Sequence, residues 1–283
     1  MNHLGEKAMK VVFLIAACAS VLAVFLICVF LFANGLPAMG KIGPLKFLFG
    51  TEWRPTNDKF GILPMIVASI YVTAGAILIG VPIALFTSVF MARYCPKKIY
   101  KPLKSGIELM AGVPSIVYGY FGLVLLVPLI RQLFGGTGSS MLAACILLGI
   151  MILPTIMRTT EEALLCVPDS YREGSFGLGA GKLRTIFKIV LPAAIPGILS
   201  GIILSIGRIV GETAALIYTA GTVTGVAGLM DSGRTLAIHM YVLSNEGLHK
   251  NEANATAVVL LVIVLLINGV SSLIAKRFEA VKE

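Results

Sequence analysis

Arg208 and Glu212 are the two ionisable residues whose position within a hydrophobic stretch could do chemistry. They lie in Gly207-Arg208-Ile209-Val210-Gly211-Glu212-Thr213 and are the only charges between residues 189 and 230. A planar guanidinium can meet two oxygens of an oxyanion at once. An arginine at the centre of a bilayer costs about 2.5–3.5 kcal/mol. The spacing therefore indicates either an anion site or, because residues four apart face each other on a helix, a self-satisfied ion pair.

Other residue types associated with catalysis do not form a recognisable pattern. The cysteines show no paired spacing, and the histidines are scattered, so neither disulfides nor a metal site is predicted. Gly177-Leu178-Gly179-Ala180-Gly181-Lys182 is similar to a phosphate-binding loop, but Phe176 and Leu183 replace the required Gly and Ser/Thr. We expect no catalytic residue, no metal and no cofactor in this chain. The residues concerned are Cys18, Cys28, Cys95, Cys145, Cys166, His3, His239 and His249.

A polar stretch between hydrophobic runs, residues 168–192, is here called the knuckle. Ser170 and Glu173 have the spacing of a capping box, which predicts a helix starting there. Gly177 or Gly179 should end that helix in a left-handed conformation. A second short helix, from Lys182 to Ile189, should then lead into the next hydrophobic run. The stretch also carries four basic residues, namely Arg172, Lys182, Arg184 and Lys188.

The composition identifies a membrane protein. Of 283 residues, 57% are hydrophobic and 13% are charged, against roughly 25% charged in soluble domains. Because a span needs about 20 apolar residues, the charge-free intervals predict an all-α polytopic protein with six transmembrane helices. Their expected limits are 9–33, 62–92, 107–130, 141–157, 191–221 and 253–275, within a single domain of residues 1–283.

The formal charge of +9 is explained by topology. If both termini face the cytoplasm, fifteen Lys and Arg residues lie inside and seven lie outside, as the positive-inside rule requires. This predicts an N-in/C-in orientation and argues against nucleic acid as a partner. Arg158, at the end of the fourth span, is either an ordinary flank of this kind or a cation at the cytoplasmic mouth of an anion path.

Several local features give further expectations. Pro114 should kink the third span, with Ser115 satisfying the freed carbonyl, either to line a cavity or for packing alone. Residues 93–106 should form a basic loop. Trp53 should sit at the membrane interface, or contact an external partner, and His239 and His249 should be surface groups.

The knuckle resembles the EAA loop of ABC-importer permeases. The matching positions are a Glu and two small residues, a Gly four positions later, and a terminal Ile-x-Leu-Pro. The resemblance implies the type I importer fold, with a coupling loop over residues 159–190, an anchor helix over 9–33 and a five-helix core over 62–276. It also implies that the loop docks on an ATPase through Glu173, Gly174, Ser175, Gly179, Ile189, Leu191 and Pro192. Gly174-Ser175 departs from the usual Ala-Ala.

Over nearly the whole chain, the sequence resembles the phosphate-specific (Pst) permeases. The motifs are Glu52-Trp53-Arg54-Pro55, Gly61-Ile62-Leu63-Pro64, Gly112-Val113-Pro114-Ser115, Arg158-Thr159-Thr160-Glu161 and the Gly207–Thr213 run. The external loop is more similar to the C-type subunit, and the Arg158 region also resembles the A-type sister. The resemblance implies substrate-path roles for Arg208, Glu212, Thr213, Arg158 and Ser115.

The implied assembly comprises this chain, a sister permease, two ATPases that bind ATP and Mg, an extracytoplasmic phosphate-binding protein and membrane lipid. Its location would be the cytoplasmic membrane of a bacterium or archaeon. Motion would come from ATPase closure, with the fifth span tilting about Pro192 and Pro196. The alternatives are an ABC permease for sulfate, molybdate or tungstate, and a secondary transporter or channel, although no inverted repeat is visible.

Overall fold

The predicted helical membrane architecture is confirmed. The computed structural model describes the main chain of residues 3–280 and the side chains of residues 5–273. In that part of the chain, six helical stretches are long and apolar enough to cross a membrane, the number expected from the sequence. They are Gly5–Ile42, Leu63–Arg93, Ser115–Phe134, Met141–Leu165, Lys182–Val210 and Lys250–Leu273.

The described elements are thirteen α-helices, two short strands, two π-helical turns and the 3-10 turn Pro55–Asn57 between the strands. The first half contains α1 His3–Ile42, α2 Pro44–Phe49, β1 Trp53–Arg54, β2 Lys59–Phe60, α3 Leu63–Arg93, α4 Lys97–Gly112, α5 Ser115–Phe121 and α6 Val127–Phe134. The second half contains α7 Met141–Leu165, α8 Asp169–Gly177, α9 Lys182–Thr185, α10 Leu191–Val210, α11 Ala214–Thr219, α12 Leu236–Glu246 and α13 Lys250–Ala280. The π turns Gly122–Leu126 and Ile186–Val190 join α5 to α6 and α9 to α10 without interruption.

Helix α7 is the centre of the bundle and packs closely against α3 and α10. Gly75 of α3 lies so near Cys145 that a Cβ there would overlap the sulfur, and Gly201 of α10 stands in the same relation to Thr159. Small residues let membrane helices approach, because lipid provides no hydrophobic force to press them together. These glycine contacts therefore fix the positions of α3 and α10 along α7.

Helix α1 is longer than the predicted anchor of residues 9–33 and runs to Ile42. In its most apolar 18-residue window no residue is buried within this chain. Its far end contacts α13, where Gly35 lies against Asn254 and Val258. Most of α1 therefore presents its surface to lipid or to another chain.

The prediction of a kinked third span was wrong in detail, because the helix is interrupted completely. Helix α4 ends at Gly112, Val113 and Pro114 are extended, and α5 starts afresh at Ser115. Proline disfavours helical backbone in the residue before it and has no N–H to continue the ladder. The expected basic loop of residues 93–106 is also mostly helical, since α4 begins at Lys97.

The prediction of one long fifth helix over 191–221 was wrong as well. Helix α10 stops at Val210, Gly211 forms its C-cap, and α11 begins only at Ala214. Residues 211–213 therefore form a second interruption inside an apolar segment. Irregular backbone at membrane depth is tolerated where it is buried in protein or lines a cavity.

The two ends of the bundle differ, and we name them by their landmarks. The knuckle end carries α8, and the hairpin end carries the β1–β2 hairpin, in which Trp53 pairs with Phe60. Trp53 is buried, with its ring edge-on to Phe60 (5.5 Å between centroids) and to His239 (4.2 Å). Placement of Trp53 at the lipid interface was therefore wrong, because the hairpin folds over α12 instead.

His239 was predicted at the surface but is completely buried. Burial, assisted by the nearby Arg234 charge, lowers the pKa of His239 to about 3. Arg234 Nη1 lies 3.3 Å from Nδ1 of His239. Since a guanidinium can only donate, Nδ1 accepts and Nε2 carries the proton. The imidazole of His239 faces the indole of Trp53, and the two rings stand edge-on to each other.

Candidate functional site

Arg208 lies near the middle of the membrane-spanning part of the bundle. Gly197 and Gly201 of α10 contact Ala163 and Thr159 of α7, so the two helices run antiparallel. Arg208 is seven residues, roughly 10 Å, beyond Gly201 toward the hairpin end. That places it level with the centre of α7.

The expected ion pair between Arg208 and Glu212 is absent. Arg208 is exposed, and no carboxylate of the described residues lies within ion-pair distance of it. The pairing fails because the helix ends at Val210, so that residues 208 and 212 are not one helical turn apart. The guanidinium is therefore a cation at mid-span with no carboxylate partner among the described side chains.

Glu212 caps a helix instead. Its side chain is buried, and Oε1 accepts a hydrogen bond from the Ala215 amide at 3.1 Å. Thr213, the next residue, bonds weakly to the Gly211 carbonyl at 3.4 Å. The carboxylate thus satisfies an amide in the first turn of α11, a common use of acidic residues at helix starts.

The two interruptions are connected through α5 and α11. A Cβ on Gly119 of α5 would overlap the Ala215 main chain, and one on Gly122 would overlap Thr219. Two broken helices packed in this way resemble the discontinuous helices that form substrate sites in transporters.

Tyr118, rather than Ser115, bridges the first interruption. Its hydroxyl donates to the Met110 carbonyl at 2.8 Å, spanning the extended residues Val113 and Pro114. Ser115 is half-buried and makes no hydrogen bond among those found in the described residues, so its predicted role in satisfying the freed carbonyl was wrong. Sequence reasoning missed Tyr118, although it stands only three residues beyond the Gly112–Ser115 motif.

Arg158 lies apart from this group, toward the knuckle end. It pairs with Glu162 at 3.1 Å, and both side chains are exposed. They border a cavity of about 250 Å³ between α4 and α7, which Lys104, Glu108 and Glu161 also line. Buried Glu161 accepts a hydrogen bond from Tyr100 of α4 at 2.5 Å. The structure therefore places Arg158 in a separate polar crevice.

The start of α7, at the hairpin end, is covered by the segment that follows α11. The amides of Ser140, Met141 and Leu142 at the start of α7 donate to the carbonyls of Thr219, Asp231 and Leu229 at 2.9–3.0 Å. Helix starts leave amides without partners, and here another segment of the chain provides them. This contact holds residues 219–231 against α7.

The knuckle has the predicted two-helix form with a different start. Helix α8 begins at Asp169 after Pro168, and neither Ser170 nor Glu173 makes the expected capping-box bonds, so that prediction was wrong. The N-cap is Pro168 rather than Ser170, so the helix starts two residues earlier than predicted, and Asp169 pairs with Arg172 at 2.7 Å. Helix α8 ends at Gly177 and Gly179 is left-handed (φ 81°), as expected. The second short helix passes through a π turn into α10 without a break at Pro192.

A hydroxyl pair ties the two arms of the knuckle together. Ser175 Oγ and Thr185 Oγ1 are 2.8 Å apart, and Thr185 is buried. Gly174, by contrast, has open space where a Cβ would be. Glu173 is exposed, as are Gly179, Ile189 and Pro192, while Leu191 is half-buried. Five of the seven predicted coupling residues are therefore exposed, and Gly174, Ser175, Gly179 and Ile189 line one shallow cavity.

The knuckle also exposes apolar side chains that the sequence reading overlooked. Leu178 is 91% exposed, and Tyr171, Phe176 and Leu183 are exposed beside it. A shallow cavity of about 460 Å³ runs along α8 and is lined by Tyr171, Gly174 and Leu178. Exposed apolar groups outside the spans indicate a protein contact.

A family model supplies the deciding comparison. Residues 80–281 match the binding-protein-dependent transport system inner membrane component family. The chain belongs to this family. It is a permease of the inner membrane. The chain is 39% identical over 215 residues to the probable ABC transporter permease protein YqgH of Bacillus subtilis, and the match covers 74% of this chain and 70% of the relative.

Other similar proteins agree with this assignment. The phosphate transport system permease protein PstC of Mesorhizobium japonicum is 30% identical over 277 residues, covering 88% of this permease and 84% of PstC. Two solved structures share the fold. One is the inward-facing MetNI methionine ABC transporter (TM-score 0.58, 23% identity, 77% and 94% of the chains). The other is a bacterial alginate ABC transporter (TM-score 0.63, 13% identity, 98% and 99%).

Proposed function

We propose that this chain is the permease subunit of an ATP-driven importer of inorganic phosphate. The observation that carries the proposal is Arg208, a mid-span guanidinium with no carboxylate partner among the described residues, beside two helix interruptions. Similarity to relatives named as phosphate permeases in M. japonicum and in Methanocaldococcus jannaschii supports phosphate as the substrate.

The chemistry of the path follows from what each residue can offer. Arg208 would bind two phosphate oxygens as the anion leaves an extracytoplasmic binding protein. Glu212 stays on the Ala215 amide and keeps α11 in place, while Thr213 and Ser115 offer hydroxyls at the two interruptions. Conduction needs an anion that is held weakly enough to leave. One guanidinium without further cations meets that need.

The knuckle is the surface through which ATP hydrolysis elsewhere would act. We propose two ATPase subunits carrying the ATP and Mg, a sister permease and a phosphate-binding protein, with no cofactor or catalytic residue in this chain. The orientation would be N-in/C-in. Because α9, the π turn and α10 form one continuous helix, a push on the knuckle reaches Arg208 directly, without a hinge at Pro192.

Uptake by reconstituted complexes tests the substrate role. Arg208→Gln removes charge-assisted hydrogen bonds worth about 1.5–3 kcal/mol, so phosphate uptake should fall roughly tenfold or more, with Arg208→Lys between that and wild type. Arg131→Gln, at an exposed arginine of α6, is the matched control. Full uptake by an intact Arg208→Gln complex would show that the proposed role is wrong.

The runner-up substrates are sulfate, molybdate and tungstate, which offer similar oxygens. Stimulation of ATP hydrolysis by each anion in turn separates them from phosphate. Docking is tested by Leu178→Asp at the knuckle, with Leu45→Asp, at a leucine that is 73% exposed at the hairpin end, as its control. Only the former should reduce ATPase co-purification, and equal recovery in both would contradict the knuckle contact.

A further inference from the structure

Helix α4 carries a basic face along its first two turns, and the acidic residue of that face, Glu108, follows one turn beyond Lys104. Lys97, Lys98, Lys101 and Lys104 fall within its first eight residues, and residues 94–107 contain neither Asp nor Glu. All four lysines are exposed. Among the described side chains, none of these lysines has an ion-pair partner. Lys104 is engaged with Tyr100, which leaves Lys97, Lys98 and Lys101 open to an external anion.

The opposite face of α4 is apolar and is also uncovered. At about 100° per residue, Lys97, Lys101 and Lys104 fall within a sector of roughly 60°, and Ile99, Leu103 and Met110 fall within another on the far side. Ile99 is 49% exposed and Leu103 is 38% exposed. A helix with one cationic and one apolar face suits the boundary between headgroups and acyl chains.

The position of α4 in the chain puts it at that boundary. It begins four residues after α3 completes its span at Arg93 and ends just before the span that starts at Ser115. The Tyr100–Glu161 hydrogen bond fixes a third sector of α4, which includes Ile107, against α7. Because this third sector faces α7, the lysines and the apolar face cannot both turn toward the bundle.

We propose that α4 is a binding surface for anionic phospholipid headgroups. Lys97, Lys98 and Lys101 contact the lipid phosphates, and Ile99 and Leu103 enter the acyl region beneath them. Lysines beside a span attract anionic lipid because the headgroup layer is negatively charged. The occupant is a lipid rather than a soluble anion because one helix carries both a cationic face and an exposed apolar face.

Bound lipid would bear on the transport path through two hydrogen bonds. Tyr100 joins α4 to buried Glu161, and Tyr118 joins the last turn of α4 to α5. A lipid that holds α4 in place therefore also favours one arrangement of the first interruption. The lipid site itself does not depend on the proposed phosphate function, since it requires only that α4 lie at the membrane surface.

Native mass spectrometry of the purified complex with added phosphatidylglycerol or phosphatidylcholine tests the surface. The triple variant Lys97→Gln, Lys98→Gln, Lys101→Gln should bind phosphatidylglycerol roughly tenfold to hundredfold more weakly, with phosphatidylcholine unchanged. The same three positions changed to Arg should retain binding, which excludes misfolding as the cause. A control triple at the hairpin end, Lys41→Gln, Lys46→Gln and Lys250→Gln, should bind as wild type.

Photoactivatable phosphatidylglycerol provides a second measurement on the wild-type complex. Crosslinks should fall on the peptide of residues 97–112. Phosphatidylglycerol binding that is equal in the Gln triple and the wild type would overturn the proposal. So would crosslinks that avoid α4, the result expected if the sister subunit covers its apolar face.

Discussion

The carboxylate of Glu212 caps the helix that starts two residues later, accepting a hydrogen bond from the Ala215 amide at 3.1 Å. This single bond explains two features of the bundle at once. It stabilises the start of α11, which follows the interruption after α10. It also engages the carboxylate of Glu212, which would otherwise neutralise Arg208. The lack of a carboxylate partner for Arg208 among the described residues is therefore a consequence of a helix cap.

Two substitutions at Glu212 should separate capping from charge. Glu212→Ala loses the acceptor and should lower the free energy of unfolding by about 1 kcal/mol. Glu212→Gln keeps an oxygen acceptor and should stay close to wild type. Thermal unfolding of the purified complex measures both. Equal destabilisation by Ala and Gln would indicate that the charge, and not the cap, is what matters.

The hydroxyl pair in the knuckle should contribute to coupling. A double-mutant cycle with Ser175→Ala and Thr185→Val should give a stability interaction of about 1 kcal/mol, the usual worth of one hydrogen bond. Each variant should also reduce phosphate-stimulated ATP hydrolysis, because the two arms of the knuckle would no longer move together. Additive stability effects would show that the 2.8 Å contact contributes nothing.

Glycines at close contacts should be far less replaceable than glycines in open positions. Gly201→Ala forces a methyl group into Thr159, and such overpacking typically costs 1–3 kcal/mol. Gly174→Ala, in the open knuckle helix, should be neutral or stabilise by about 0.5–1 kcal/mol because alanine favours helix. Thermal unfolding compares the pair. A stable Gly201→Ala protein would contradict the packing of α10 on α7.

His239 should make the hairpin end sensitive to acid. Its folded pKa of about 3 lies below the unfolded value of about 6.5, so the unfolded chain binds the extra proton between these limits. Its contribution to stability is therefore complete above pH 6.5 and is lost as the pH falls, by about 2 kcal/mol between pH 6.5 and pH 5.

Hydrogen exchange of α12 at several pH values measures this effect. His239→Phe has no proton to gain, so its protection should depend less on pH even if it is less stable at neutral pH. The slope, rather than the absolute stability, decides the matter. An unchanged slope in His239→Phe would assign the acid sensitivity to other groups.

Hydrophobicity alone was sufficient to predict the number of spans, and the knuckle could be placed from its glycines and charges. Both signals are local, since a span or a left-handed glycine requires only its own stretch of chain. The departure from Ala-Ala at Gly174-Ser175 was noted, but the role of Ser175 was invisible because Thr185 lies ten residues away in a separate arm.

The helix interruptions and the hairpin end could not be predicted because they depend on tertiary contacts. Arg208 and Glu212 have the spacing of a helical pair, and only the packing of α11 on Gly119 shows that the helix stops between them. Trp53 has the amphipathic character of an interface residue. Its burial depends on His239, which lies 186 positions further along the chain.

The contact between Trp53 and His239 also gives the chain a built-in optical probe. It contains a single tryptophan, whose indole lies 4.2 Å from the imidazole ring. Under excitation selective for tryptophan, emission from this subunit therefore comes from one known place, and it changes when the two rings separate or the imidazole becomes charged. Docking of a protein on that side of the bundle could thus be followed in real time without attaching a dye.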